Sequence, residues 1–366
     1  MSNSASDLQH MAHALRLAQR GLYTTDPNPR VGCVIAKNDE VLGEGWHVRA
    51  GGPHAELHAL EVAGNDADGA TAFVTLEPCS HQGRTPPCVA ALVKACVGRV
   101  VAAMEDPSPQ ISGSGFAALA QAGIPTEVGL LQAQAEALNP GFISRVRRGR
   151  PFVRAKLAAS LDGRTAMPNG ESQWITSEAA RADVQHWRAR SSAILCGVET
   201  VLADDPRFTV RALDIGRQPL RVVVDSTLRT PPSAKLLEGD APTLIVTAAR
   251  ESSQLGNVCR AGAEILCLPA DDGAVDLHAL LRHLASREVN EVLVESGAML
   301  TGAMLQADLI DELVLYFAPT LMGSEAKPMF NLPGLEQLTD RIALTIEDVR
   351  AVGSDWRFIA KVQSHR

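Results

Sequence analysis

The stretch Gly52-Pro53-His54-Ala55-Glu56-Leu57-His58-Ala59-Leu60-Glu61-Val62 gives way, a few residues on, to Thr71-Ala72-Phe73-Val74-Thr75-Leu76-Glu77-Pro78-Cys79. The first run reads as a helix over 55–62 and the second as a strand over 71–76. A further helix over 87–95, with Cys88 near its start, and a strand over 97–104 follow. Upstream, 31–35 and 40–45 read as strands. Met11, Leu15, Ala18 and Leu22 stand at helical spacing, which predicts a helix over about 9–22 with that stripe buried. Strands alternating with helices, out to an Ala/Gln/Leu-rich helix over 130–138, predict an α/β layer domain, a sheet covered by helices.

At 366 residues the chain is long enough for two such units. Hydrophobic residues at 46% and charged residues at 21% exclude a disordered chain. The sequence has no apolar run of membrane-span length, and MSNSASDLQ lacks a signal-peptide plan, so a cytoplasmic protein with no membrane partner is expected. A net charge of -8 opposes the positive footprint that nucleic acid requires, so none is expected as a partner. A phosphorylated small molecule remains compatible, because a few local donors can hold one phosphate. The seven cysteines are scattered and odd in number, which favours core thiols or metal ligands over bridges.

The run Asn139-Pro140-Gly141-Phe142-Ile143-Ser144-Arg145-Val146-Arg147-Arg148-Gly149-Arg150-Pro151 reads as a solvated connection, with the seam near Arg147. This gives domains at residues 1–147 and 148–366. The second half alternates again: apolar runs at 193–196, 220–224, 243–246, 292–294 and 313–316 are separated by helical segments such as 178–190. In that helix Ala180, Val184 and Trp187 share a face, with Thr176 or Ser177 as N-cap.

The chemistry concentrates in His54-Ala55-Glu56, Cys79 and Cys88. One imidazole and two thiolates fill three corners of a zinc tetrahedron and leave the fourth for water, as a catalytic site requires. Glu56, two residues from His54, can stand beside the metal without ligating it and carry protons from water to a leaving amine. This is the plan of hydrolytic deamination, although the general signature separates its cysteines by two residues and here eight intervene. The competing reading is a closed structural site with His58 or His81 as fourth ligand. Cys33 and Cys96 are expected to serve packing. His47 is either a pocket donor or a surface residue.

No G-x-G-x-x-G turn is present, and Gly113-Ser114-Gly115 reads as a surface turn. The best phosphate-binding candidate is Val294-Glu295-Ser296-Gly297-Ala298-Met299-Leu300, a small-residue turn between a strand and a helix.

Taken together, the sequence resembles the bifunctional riboflavin-biosynthesis deaminase/reductase family over nearly its whole length. The likeness rests on Asn28-Pro29-Arg30-Val31-Gly32-Cys33-Val34, on Gly52 to Glu56, and on Thr75 to Cys88, whose long spacer is the family's own. In the second half it rests on Lys156 to Arg164, Gly170 to Thr176, and Thr200 to Pro206. It implies a cytidine-deaminase-like α/β/α domain followed by a dihydrofolate-reductase-like α/β domain, a fold that binds NADPH without the glycine-rich turn. It implies zinc on His54, Cys79 and Cys88, with Glu56 as proton shuttle. Substrate contacts would be Asn28, His47, His81 and Arg84 in the deaminase, and Ser172, Arg188, Phe208, Arg211 and Glu295 in the reductase. Cofactor positions would be Ala158, Trp174, Thr176, Thr200, Asp204, Ser226 and the turn Gly297, Ala298, Met299, Leu300, Thr301, Gly302 and Ala303. Arg188 and Arg211 suit a 5-phosphate, because a guanidinium offers paired N–H donors. By the same resemblance, Ser296 stands where relatives usually carry Gly or Ala. Asp162 and Asp204 are expected in capping or turn roles. A homo-oligomer is expected.

Overall fold

The computed structural model describes residues 4–81, 87–211, 213–251 and 255–363. The chain divides into two compact units, Met1–Gly149 and Arg150–Arg366. Among the described residues no helix is long and apolar enough to cross a membrane.

The first unit opens with α1 (Ala5–Gln19), which starts earlier than the apolar stripe predicts. Ser4 accepts from the amide N–H of Asp7 and Asp7 from that of Ser4, a capping box that fixes the start. The helix stops before Leu22. There follow β1 (Gly32–Lys37), β2 (Glu40–Trp46), α2 (Ala55–Ala63), β3 (Thr71–Val74), α3 (Cys88–Lys94), β4 (Arg99–Ala102), α4 (Ser114–Gln121), β5 (Thr126–Val128), α5 (Gln132–Leu138) and α6 (Pro140–Arg148). The sheet order is β2-β1-β3-β4-β5. β1 pairs antiparallel with β2 and β3, and β3, β4 and β5 run parallel.

The stacking of helices on this sheet is dictated by glycine. A Cβ at Gly32 would stand 2.0 Å from the Ala14 carbonyl of α1. At Gly43 and Gly45 it would stand 2.2 Å from the Ala59 carbonyl and 2.3 Å from the Ala55 carbonyl of α2. Only hydrogen fits at these contacts, so both helices lie almost on the strand backbone.

Three expectations for this unit are corrected. The supposed solvated connection is helix α6, with Gly141 and Ser144 buried. Asn139 and Pro140 begin it and Gly149, at φ 65°, ends it, the usual asymmetry of proline at the start and glycine past the end. Buried Asn139 accepts from the Arg30 N–H at 2.8 Å and donates to the Arg30 carbonyl at 3.0 Å, which binds this segment into the unit. Cys33 is buried as expected, but Cys96 is exposed, just beyond the end of α3. Gly113-Ser114-Gly115 is no surface turn, because Gly115 is buried at the start of α4 against Pro78.

The second unit contains β6 (Phe152–Ser160), β7 (Arg164–Ala166), α7 (Glu178–Arg190), β8 (Ala193–Gly197), α8 (Val198–Asp204), β9 (Leu220–Val224), β10 (Thr243–Thr247), α9 (Leu255–Arg260), β11 (Ala263–Cys267) and α10 (Leu277–Ser286). It continues with β12 (Glu291–Val294), α11 (Ala298–Gln306), β13 (Glu312–Ala318), β14 (Lys327–Pro328), β15 (Leu344–Val352) and β16 (Asp355–Val362). The main sheet has the order β11-β10-β9-β8-β12-β6-β13-β16-β15. Its first seven strands are parallel, and five of them, β8, β9, β10, β12 and β13, are almost wholly buried, which is why they read as continuous apolar runs. The last two form an antiparallel edge. The chain runs outward from β8 to β11, returns to place β12 between β8 and β6, and sends β13 to the far side of β6. This reversal of strand order falls among β6, β12 and β8, and the carboxyl ends of strands at such a reversal are where open parallel sheets bind ligands.

Gly45→Ala is expected to destabilise the first unit by about 1–3 kcal/mol, through overpacking at the α2 contact. It is also expected to displace His54. Thermal unfolding combined with metal content checks both, and a variant with unchanged midpoint and metal content would contradict the close-contact account.

Candidate active sites

His54 is the N-cap residue of α2, with extended backbone, and Cys88 is the first residue of α3. Cys79 lies in the turn beyond β3. His54 Nδ1 stands 3.2 Å from Cys88 Sγ and 3.5 Å from Cys79 Sγ, and the three donor atoms lie within 4.8 Å of one another. Neighbouring N and S ligands of tetrahedral zinc are about 3.6 Å apart, so the spacing suits that ion. The Cys88 N–H donates to Cys79 Sγ at 3.3 Å, a bond that favours thiolate.

The charges point the same way. Hydrogen bonds from Cys88, and then from His54, hold the Cys79 thiol down to about 4 despite its burial. Cys88 is pushed up because its S–H donates to the Cys79 sulfur, and burial adds to this. His54 is raised, first by its bond to Cys79. This donor set, one imidazole and two sulfurs within 4.8 Å of one another, fits a cation. Burial raises Glu56, whose Oε2 is buried with no hydrogen-bond partner among the described residues. An unpartnered carboxyl oxygen beside a metal site is where a reacting water would be received. His58 and His81 are not in the cluster, so three protein ligands converge among the described residues.

Around this centre His47 is buried, its Nδ1 is 3.0 Å from the Pro53 carbonyl, and its Nε2 is 3.0 Å from Asn28 Nδ2. These bonds set the tautomer: Nδ1–H donates to Pro53 and Nε2 accepts from Asn28. Burial lowers the His47 pKa and keeps the ring neutral. One of the two Asn28 side-chain N–H groups is therefore spent on His47. His81 is exposed, and Arg84 lies outside the described residues. Sequence reasoning passed over Asp106, whose carboxyl is raised by burial and feels both His81 and Cys79. It also passed over Glu77, next to the Pro78-Cys79 turn.

In the second unit the expected residues gather along the carboxyl edge of the sheet. Ala158 lies on β6, Thr200 and Asp204 on α8, Ser226 just beyond β9, and Gly297 at the N-terminus of α11. Gly297 has open space where a Cβ would stand, and Met299 is 68% exposed, so the start of this turn can meet a ligand. Thr301 and Gly302 are buried, and Gly302 packs on Asn331, whose carbonyl would be 1.9 Å from a Cβ. Ser296 Oγ accepts from the Gly197 N–H at 3.1 Å, so its hydroxyl bridges the ends of β8 and β12. Trp174 is 70% exposed, with the Arg181 guanidinium 4.5 Å from its ring centre, and Arg181 also donates to the Thr176 carbonyl.

Arg188 is committed. Its Nε and Nη2 donate to the Glu295 carboxylate at 2.6 and 2.9 Å, and its guanidinium lies 5.6 Å from the Phe208 ring centre. Burial would raise Glu295, yet the Arg188 charge and hydrogen bonds hold it below the ordinary carboxylate range. Arg211 is exposed, and among the described residues only its backbone N–H is engaged, by Gln185. Lys156 on β6 joins the Arg188–Glu295 group: burial depresses its amine while Glu295 supports the charge. Its place in the sequence, a charged residue inside an apolar strand, was the available signal. Asp162 takes a turn role, accepting from the Ser160 hydroxyl and from the Met322 and Gly323 amides, and is held down to about 2.

Residues 4–104 match the cytidine and deoxycytidylate deaminase zinc-binding region, and residues 151–358 match the RibD C-terminal domain. A cytidine-deaminase-like zinc domain joined to a dihydrofolate-reductase-like domain defines a two-activity enzyme, a deaminase coupled to a reductase. The riboflavin biosynthesis protein RibD of Escherichia coli (strain K12) is 50% identical over 361 residues, covering 95% of this chain and 97% of that one. The structure of Acinetobacter baumannii RibD superposes with TM-score 0.91 at 45% identity, covering 98% of this chain and 99% of that one. That of a diaminohydroxyphosphoribosylaminopyrimidine deaminase/5-amino-6-(5-phosphoribosylamino)uracil reductase from Thermotoga maritima does so with TM-score 0.87 at 31% identity, covering 98% and 99%. The chain belongs to the RibD family of riboflavin biosynthesis proteins.

Cobalt substituted into the first unit is expected to give a tetrahedral spectrum with thiolate-to-metal absorption. Cys88→Ser should keep roughly half of that absorption, since one of two sulfurs is lost. An octahedral spectrum, or one insensitive to Cys88→Ser, would remove these thiols from the metal.

Proposed function

We propose that the first unit hydrolytically deaminates 2,5-diamino-6-(5-phosphoribosylamino)pyrimidin-4-one with one zinc ion. The second unit then uses NADPH to reduce the ribosyl group of the product to ribityl. The observation that carries the first step is the meeting of His54, Cys79 and Cys88 beside the unpartnered Glu56 oxygen.

Zinc held by these three residues supplies a Lewis acid that brings the acidity of water towards neutrality. Glu56 receives the proton of the water that attacks the ring carbon, its pKa raised by burial towards that task. It passes that proton to the ring nitrogen of the attacked C=N bond, then takes the proton of the added hydroxyl and delivers it to the leaving amine, so that the carbon–nitrogen bond breaks, ammonia departs and the ring carbonyl forms. Asn28, its amide fixed by His47, leaves its side-chain carbonyl to accept from a substrate N–H.

In the second unit NADPH would supply the hydride, and residues at the carboxyl ends of β6, β12 and β8, Gly297 among them, would hold it. Glu295 and Lys156 present a carboxylate and an amine to the pyrimidine, and Arg188 holds Glu295 ionised. With the Arg188 fork engaged, Arg211 is the better partner for the substrate's phosphate. The substrate is small and phosphorylated, which suits a cytoplasmic enzyme.

Glu56→Gln is expected to retain zinc, lose about 10²–10⁴-fold in ammonia release, and keep NADPH-dependent reduction of supplied deaminated substrate. Equal loss of both activities would contradict separate sites. Arg211→Gln should raise the reductase KM for the phosphorylated substrate about tenfold or more, with little effect on a dephosphorylated analogue. Equal effects on the two substrates would place the phosphate elsewhere.

A further inference from the structure

Glu77 is 5% exposed and forms no ion pair among the described residues. A carboxylate so placed is costly unless its lone pairs are filled. Here main-chain N–H groups fill them: Asp106 and Gly113 donate to Oε2 at 3.0 Å each, and Gly115 donates to Oε1 at 2.8 Å. The residue's own N–H donates to the Met104 carbonyl at 3.0 Å. Further ties surround the same turn. A Cβ on Gly115 would lie 2.1 Å from the Pro78 carbonyl, and the Ser80 and Ser114 hydroxyls are 2.9 Å apart. The segment from Asp106 to Gly115 is thereby strapped to Glu77-Pro78-Cys79-Ser80, the turn that carries one of the two sulfur ligands.

We infer that Glu77 is a positioning residue of the deaminase, whose grip on the 106–115 segment holds Cys79 Sγ at ligand distance and sets the wall bearing Asp106. A glutamine cannot substitute, because its amide carbonyl has lone pairs for two of the three donors and its NH2 would face the third. Glu77 itself touches neither the ligand atoms nor the reacting groups, and acts through the backbone of its neighbour. This inference rests on the metal reading given above, so zinc binding by the unaltered protein is measured first. Failure there ends the metal reading, whereas failure in the variants alone ends this one.

The test uses full-length protein. Glu77→Gln is expected to weaken zinc affinity about 10–100-fold in a chelator competition, the size of effect seen when groups that orient metal ligands are removed. It is also expected to alter the thiolate absorption of the cobalt form and to raise the deaminase KM at saturating zinc, while NADPH-dependent reduction is unchanged. Glu77→Asp keeps the charge, loses reach, and should fall between the two, and it decides the matter if the glutamine variant does not fold. Unchanged zinc affinity and cobalt spectrum, with only a lower melting point of the metal-free protein, would make Glu77 a purely structural residue and overturn the inference.

Discussion

The deaminase centre depends on how closely α2 can approach β2. His54 and Glu56 ride on the first turn of that helix, and the helix reaches its place because Gly43 and Gly45 offer no side chain to the Ala59 and Ala55 carbonyls. A methyl group at either glycine would push the imidazole away from two sulfurs that come from elsewhere in the chain. Those sulfurs are located by separate means: Cys88 by the start of α3, Cys79 by a turn clamped from beneath. The metal geometry is thus the sum of three backbone contacts, none of which involves a metal.

The second unit solves its problem with topology. Seven parallel strands bring the loops that follow β6, β8 and β12 to one edge, and the late insertion of β12 places the reversal of strand order among them. The turn proposed for the cofactor phosphates needs no glycine-rich fingerprint, because strand order places it at that edge and the backbone at Gly297 is open. The hydroxyl of Ser296, the one departure in that turn, is directed towards Gly197 on the neighbouring strand.

Much of this could be read from the sequence, and the misses share a cause. Buried parallel strands show as apolar runs, and metal ligands show as rare residue types at telling intervals. The segment 139–149 was misread because its prolines, glycines and arginines look like a linker by composition. Their positions, Pro140 at the start and Gly149 past the end, are those of a helix. Gly113-Ser114-Gly115 was misread for the same reason, since small residues mark close packing as well as exposed turns. Cys96 follows an apolar stretch but falls after the helix has ended, which no periodicity shows. Arg188 could be singled out as a cation near a phosphate site, but its pairing with Glu295, 107 positions away, is a product of the fold. Lys156 and Glu77 share that limit: the groups that surround each are distant in sequence.

Each site takes all of its identified residues from one unit, and each unit closes its own apolar core. Selection can therefore adjust one chemistry without disturbing the folding of the other. A lineage could let one half decay, or express the halves from separate genes, and still inherit an intact catalyst from whichever half it kept.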